Sequence, residues 1–139
     1  MAHLSMAKKT QGMPKEADYQ RTIVAAAQVA GWLVHAERPA QTSHGRWLTN
    51  VQGRPGFPDL TLVHPKRQVM LFIELKRKPN KATHDQLLWL WSMRQCGVQA
   101  AVVYVPDQLD DFLRFLTTEG ETVWGETLLS DEMPSPELP

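Results

Sequence analysis

The amino-acid sequence predicts an α/β fold in which a mixed central β-sheet is flanked by helices. Strand-like and helical segments alternate along the 139 residues. Two apolar segments, 60–63 and 69–73, are joined by a short turn and predict an antiparallel hairpin. The stretch 69–105 then reads as strand, helix and strand, which predicts a right-handed parallel crossover.

The first helix is predicted from Lys15 to about Gly31. Pro14 suits a helix start, and Gly31 suits the C-terminal cap. Apolar side chains recur at helical spacing on one face: Tyr19, Ile23, Ala27 and Ala30. The spacing places Glu16 on the same inward face, where a carboxylate is unusual. The simpler alternative is an exposed acid that the helix dipole favours in the first turn.

A short strand at 32–35 leads into a long connection over residues 36–58. A long loop without an apolar pattern is typically either functional or mobile. The connection carries several basic side chains and one aromatic residue: Arg38, His44, Arg46, Trp47 and Arg54. These predict contacts to nucleic-acid phosphates, and a mobile surface loop is the alternative.

The most informative stretch begins with a Gly/Pro-rich loop that delivers Asp59 to the start of a strand. The next strand carries Glu74 and Lys76, which project to one face because strand side chains alternate. The register of the hairpin can bring Asp59 beside Glu74. Two carboxylates and an ammonium predict a site for a hard divalent cation. By spacing alone, an exposed Glu74–Lys76 salt bridge is the simpler alternative.

A metal at this position would polarise a phosphoryl oxygen and lower the pKa of bound water. Lys76 would orient that water and stabilise negative charge in the transition state. The backbone carbonyl of Leu75 would add a ligand if the strand end is frayed. Glu16 would complete the shell, or hold a second metal, if the first helix packs at this edge.

The next helix is predicted over residues 83–96. Thr83 and Gln86 fit a capping box, which competes with a role for Gln86 at the site. Apolar residues cover more than one face of this helix: Leu87, Leu88, Trp89, Leu90, Trp91 and Met93. We therefore expect a homodimer in which the Trp89/Trp91 helix contributes to the interface. The alternative is that the loop or the tail covers this helix within the monomer.

The remaining elements are a strand over 99–105 and a final helix over 107–116. We expect one domain over residues 14–118, preceded by a disordered N-terminus at 1–13. An acidic tail follows at 119–139, in which Trp124 could dock on the domain.

The formal net charge of zero hides an uneven distribution. Residues 1–105 carry 14 Lys or Arg and 6 Asp or Glu, whereas residues 106–139 carry 1 and 9. A basic body with an acidic end indicates nucleic-acid binding, with a solvated surface as the alternative. Neither a zinc-binding Cys/His pattern nor a serine-nucleophile motif is present. The single Cys96, with no apolar span or secretory signal, predicts a cytoplasmic protein without membrane contact.

The order of these motifs resembles the PD-(D/E)xK nucleases and, more narrowly, the VRR-NUC family. The resemblance runs from about Glu16 to Val105 and includes EADYQ, GWLV, GFPD, IELKR, Gln86 and AAVVYV. It implies a restriction-endonuclease-like core and an Mg²⁺- or Mn²⁺-dependent endodeoxyribonuclease. It also implies metal binding for Glu16, Asp59 and Glu74, a catalytic role for Lys76 and a supporting role for Gln86.

We therefore expect a structure-specific DNA endonuclease of the Holliday-junction-resolvase type, acting in repair or recombination in a bacterial or phage-infected cell. A nickase or flap nuclease with the same site is the nearest alternative. A DNA-binding protein that cleaves nothing, or a protein-interaction adaptor, is an alternative of another class. The expected DNA contacts are basic side chains: Arg38, Arg46, Arg54, Arg77, Lys78 and Lys81.

Overall fold

The computed structural model describes residues 14–37, 40–41, 47–48 and 51–125. The predictions for the N-terminus, for Arg38 and Arg46, and for the tail beyond residue 125 lie outside these ranges. The described helices are α1 (Glu16–Val29), α2 (His84–Gln95) and α3 (Leu109–Thr117). The described strands are β1 (Leu33–Ala36), β2 (Ala40–Gln41), β3 (Trp47–Leu48), β4 (Leu60–His64), β5 (Val69–Arg77) and β6 (Gln99–Val105).

A four-stranded sheet with the order β1-β4-β5-β6 forms the centre of the fold. Strands β4 and β5 pair antiparallel, with Leu60 opposite Ile73, and this confirms the predicted hairpin. Strands β5 and β6 pair parallel, with Lys76 opposite Tyr104, as the crossover requires. The sheet is therefore mixed, as the sequence predicts.

The long connection after β1 differs from its prediction. Within it, β2 and β3 pair antiparallel as a separate two-stranded sheet, which was not predicted from the sequence. Two-residue strands are too short to show the alternation on which a sequence-based prediction depends.

The hydrophobic core lies between one face of the sheet and helices α1 and α3. Alternate residues of β5 enter it, namely Val69, Leu71, Ile73 and Leu75, together with Ile23 and Ala27 of α1 and Phe112, Phe115 and Leu116 of α3. The intervening residues of β5, including Phe72 and Glu74, face the opposite side because strand side chains alternate. Helix α2 packs on that opposite side, since the ring of Trp89 lies near Phe57, which contacts Phe72.

At the end of the sheet near the β4–β5 turn, Arg67 ties several elements together. Its guanidinium donates hydrogen bonds to the backbone carbonyls of Leu116, Phe115 and Glu121 at 2.8, 2.9 and 2.7 Å. Burial lowers the pKa of this side chain from its ordinary value, and the charge of Glu121 opposes that shift. The hairpin turn and the segment after α3 are thereby held together.

The segment after α3 also docks through Trp124, as predicted. Its ring lies 4.9 Å from the ring of Phe112, and its backbone N–H donates to Gln99 Oε1 at 3.0 Å. No helix within the described ranges is long and apolar enough to span a membrane.

Candidate active site

Two acidic side chains bind the edge of β5 that extends past the first residue of β4 and so has no neighbouring strand on that side. Asp59 Oδ2 accepts a hydrogen bond from the Leu75 backbone N–H at 3.1 Å. Glu16 Oε2 accepts one from the Arg77 backbone N–H, also at 3.1 Å. These carboxylates satisfy backbone donors that a neighbouring strand would otherwise satisfy. Glu16 therefore reaches the sheet from α1, which contradicts the alternative of a first-turn acid engaged only with solvent.

The backbone carbonyl of Leu75 lies on this same open edge. In a β-strand the N–H and C=O of one residue point to the same side, and the Leu75 N–H points to Asp59. We expected this carbonyl to be available to a metal because of a frayed strand end, and that reason is wrong. Strand β5 stays paired with β6 as far as Arg77, and the edge is open because β4 begins only at Leu60.

Glu74 is the most deeply buried acid of this site, with 2% of its surface exposed. Burial, and after it the negative charge of Asp59, raises the pKa of its carboxyl group to about 8, and the positive charge of Lys76 opposes the shift. Lys76 Nζ lies 3.6 Å from Glu74 Oε2, and its side chain is 15% exposed. The Glu74–Lys76 pair of the simpler alternative is thus present, but its expected exposure is wrong, because both side chains are largely buried.

The arrangement fits a divalent cation through its buried oxygen atoms. Among the described residues, Glu74 Oε1 is buried and has no hydrogen-bond partner. A cation beside Asp59 and Glu74 would bind this oxygen and would also reduce the repulsion between the two acids. Mg²⁺ in proteins is commonly held by one or two carboxylates and completes its shell with water.

Glu16 stands apart from this pair. It is the weakest of the groups that raise the pKa of Glu74, so its charge reaches the site. Within the part of the chain that the structure describes, no three His, Cys, Asp or Glu side chains are spaced to hold a metal together. The structure thus brings Asp59, Glu74 and Lys76 together, with Glu16 at the border, and its predicted role as a ligand stays a prediction.

The match with known proteins agrees with this geometry. A model of the VRR-NUC domain matches residues 15–107, which include every element of the site. The chain belongs to the VRR-NUC family. A solved VRR-NUC domain is 27% identical and covers 73% of this chain and 97% of its own, with a TM-score of 0.52.

A curated relative is the Fanconi-associated nuclease 1 homolog of Caenorhabditis briggsae, 37% identical over 73 residues. That match covers 51% of this chain but only 8% of the relative, so the similarity concerns one domain of a much longer protein. The restriction-endonuclease-like fold and the membership of a nuclease family are thereby confirmed.

The GFPD loop of this VRR-NUC domain is fixed against α2. Gly56 has a φ of +95°, and a Cβ there would lie 2.7 Å from the backbone carbon of Asp85. Trp89 Nε1 donates a hydrogen bond to the Pro55 carbonyl at 3.0 Å, and the Trp89 ring lies 5.1 Å from that of Phe57. Helix α2 therefore positions the loop that ends at Asp59.

This packing bears on the expected dimer. The loop engages Trp89, and neither Trp89 nor Trp91 is among the exposed large apolar residues. The alternative in which the loop covers the helix within the monomer thus accounts for Trp89. Both tryptophans stay partly exposed, and the homodimer stays a prediction.

Gln86 forms the capping box that its spacing predicts. Its Oε1 accepts a hydrogen bond from the Thr83 backbone N–H at 2.8 Å, and its own N–H donates to Thr83 Oγ1 at 3.2 Å. The side-chain oxygen is thus engaged at the N-terminus of α2. A supporting role of Gln86 in catalysis stays a prediction.

The predicted DNA-contacting residues that the structure describes lie in the GFPD loop and at the end of β5. Arg54, on the GFPD loop, forms an ion pair with Asp85 at 3.5 Å. Arg77 ends β5, and the exposed Lys78 and Lys81 follow in the turn. Contact of these residues with a phosphate backbone stays a prediction.

Two further residues near the site were not predicted from the sequence. Gln20 is 7% exposed, its Oε1 is buried without a partner in the described part of the chain, and it follows Glu16 by one helical turn. That spacing could have identified it. Tyr104 lies opposite Lys76 across β5 and β6, a neighbourhood that only the strand register reveals.

Proposed function

We propose that this VRR-NUC domain is a divalent-metal-dependent DNA endonuclease that hydrolyses phosphodiester bonds. The observation that carries the proposal is the meeting of Asp59, the buried Glu74 and Lys76 at one open strand edge. Membership of a nuclease family supports the reaction class. The Caenorhabditis briggsae relative is named as a nuclease homolog, which agrees with this class.

In this proposal, Asp59, Glu74 and the Leu75 carbonyl hold Mg²⁺ or Mn²⁺, and Glu16 borders the shell. A bound metal supplies polarisation of a phosphoryl oxygen and a more acidic water. The Leu75 N–H orients the Asp59 carboxylate by donating a 3.1 Å hydrogen bond to it. The Lys76 ammonium orients the attacking water and stabilises the added negative charge as the P–O bond to the leaving sugar oxygen breaks.

We further propose that the enzyme is structure-specific, with the basic residues of the GFPD loop and of the segment after β5 contacting the DNA backbone. A Holliday junction requires two strand cuts, which a homodimer with two sites would supply. A flap or nick requires only one cut, which a single copy can make. The packing of Trp89 within the chain favours this second candidate, because the helix expected at the dimer interface already has a partner.

The test of catalysis uses Glu74→Ala and Lys76→Ala on labelled duplex, flap and four-way-junction DNA. Each reaction contains Mg²⁺, Mn²⁺ or EDTA. Both variants should keep DNA binding while the cleavage rate falls by about a hundredfold or more, the usual effect of removing a charge-stabilising group. Lys66→Ala, at the exposed turn on the other end of the hairpin, is the matched control and should cut normally.

Metal-independent nicking that is equal in the wild type and both variants would overturn the endonuclease proposal and leave a DNA-binding protein. Light scattering separates the two substrate candidates. A mass near the 15.8 kDa of one chain, with preferential flap or nick cleavage, supports the single-copy enzyme. Twice that mass, with paired cuts in a junction, supports the resolvase.

A further inference from the structure

A cleft opens beside the proposed catalytic lysine, at the end of β5. Its volume is about 500 Å³, and it is lined by Lys78, Pro79, Asn80, Lys81 and Tyr104. The turn that forms one wall is closed by a hydrogen bond from the Asn80 N–H to the Arg77 carbonyl at 3.0 Å. The opposite wall is the aromatic ring that β6 contributes.

The position of this ring relative to the site follows from strand register. Tyr104 lies directly opposite Lys76 in the parallel β5–β6 pair, so the two side chains project from the same face. Neighbouring strands are about 4.8 Å apart. The cleft therefore adjoins the position that a scissile phosphate would take beside Lys76.

The chemistry of the lining combines an aromatic surface with cations and an amide. Lys78 Nζ lies 5.4 Å from the centre of the Tyr104 ring and 3.1 Å from Asp107 Oδ2. Both members of this ion pair are more than half exposed, so the pair contributes at most about 1 kcal/mol and yields easily to a ligand. Lys81 is exposed, and the Asn80 amide can both donate and accept hydrogen bonds.

We propose that this cleft binds the base of an unpaired nucleotide next to the cleavage position, with Tyr104 as the stacking surface. This inference rests on the proposed function and narrows its substrate class to DNA that has a single-stranded segment at the cut. Stacking on an aromatic ring beside cations that contact phosphates is the general way in which proteins bind single strands. A base inside a duplex is already stacked on both faces and gains nothing from this ring.

The test measures binding without cleavage, in a Glu74→Gln background with EDTA. The probes are a blunt duplex and the same duplex with a single-stranded extension whose first unpaired base is the fluorescent analogue aminopurine. Tyr104→Leu should weaken binding of the extended duplex by about tenfold, the effect of one lost stack, and should abolish aminopurine quenching. Binding of the blunt duplex should stay within about twofold.

Tyr104→Phe is the matched control and should preserve both binding and quenching, because the ring remains. Lys81→Ala should weaken both probes equally, since a phosphate contact does not distinguish them. The proposal is overturned if Tyr104→Leu binds the extended duplex as tightly as Tyr104→Phe, or if it weakens both probes equally. If the cleft is confirmed but wild-type protein cuts no DNA with Mg²⁺ or Mn²⁺, only the endonuclease proposal fails.

Discussion

At the scale of single residues, Glu74 carries a conflict between burial and charge. Its carboxyl group is 2% exposed and lies beside Asp59, and its pKa rises from an ordinary 4.5 to about 8. Between these values the metal-free folded protein keeps a proton that the unfolded chain has released. The stabilising effect of that proton is fully present below pH 4.5 and is lost as the pH rises through about 8.

Glu74→Gln should remove this pH dependence, because an amide does not ionise. In EDTA, the free energy of unfolding of the wild type should fall relative to that of Glu74→Gln by on the order of 5 kcal/mol between pH 4.5 and a pH above 8. Urea unfolding of both proteins across that range measures the difference. Glu119→Gln, at an exposed acid, should follow the wild type. If the free energies of unfolding of the wild type and Glu74→Gln change in parallel with pH, ionisation of Glu74 beside Asp59 does not destabilise the fold.

The same residues show how far local patterns reach. The alternation of a strand and the geometry of a hairpin predicted that Asp59, Glu74 and Lys76 would meet. The role of Glu16 stayed open because its hydrogen bond to Arg77 joins residues 61 positions apart in the chain. Tyr104 was not predicted for a similar reason. Its position opposite Lys76 depends on the register of two parallel strands that are separated in sequence by a helix.

At the scale of elements, the GFPD loop and α2 form one unit that delivers Asp59. The capping box that begins α2 was predictable because it depends on two residues three positions apart. The close contact of Gly56 with Asp85 was not predictable, because it depends on the packing of two segments that are distant in sequence. The loop can approach the helix that closely only where no side chain intervenes.

Gly56→Ala should therefore displace the loop, and Gly53→Ala is its matched control. Both glycines have positive φ, +95° and +86°, but a Cβ at Gly53 meets nothing within 4 Å. Gly53→Ala should lower the free energy of unfolding by about 1 kcal/mol through backbone strain alone. Gly56→Ala should lower it by a further 1–3 kcal/mol, roughly, through overpacking, as urea unfolding would measure.

Gly56→Ala should also slow the proposed DNA cleavage at a temperature where it remains folded, because Asp59 follows the loop. Gly53→Ala should cut normally. Equal effects of the two substitutions on stability and cleavage would mean that the contact with α2 does not position Asp59.

At the scale of the whole molecule, the two ends of the sheet differ in their charged groups and in the contacts that these groups make. At one end, acids and Lys76 crowd an open edge where Glu74 Oε1 is left without a partner in the described residues. At the other end, Arg67 donates hydrogen bonds to three carbonyls, and its guanidinium lies over the rings of Trp32 and Phe115, at 4.9 and 5.0 Å. Its Nε is also buried without a partner in the described residues. Arg67 therefore stabilises the end of the sheet opposite the acids.

Arg67→Lys should therefore reduce stability without slowing the proposed cleavage. A lysine ammonium keeps the charge but lacks the planar fork that reaches three carbonyls at once, so the free energy of unfolding should fall by about 2–4 kcal/mol. Lys66→Ala, at the neighbouring exposed position, should change it by less than about 0.5 kcal/mol. Urea unfolding gives both values, and cleavage is compared at a temperature where each protein is folded. A cleavage rate that falls in fully folded Arg67→Lys would show that the two ends are coupled, because Arg67 contacts none of the acids that would hold the metal.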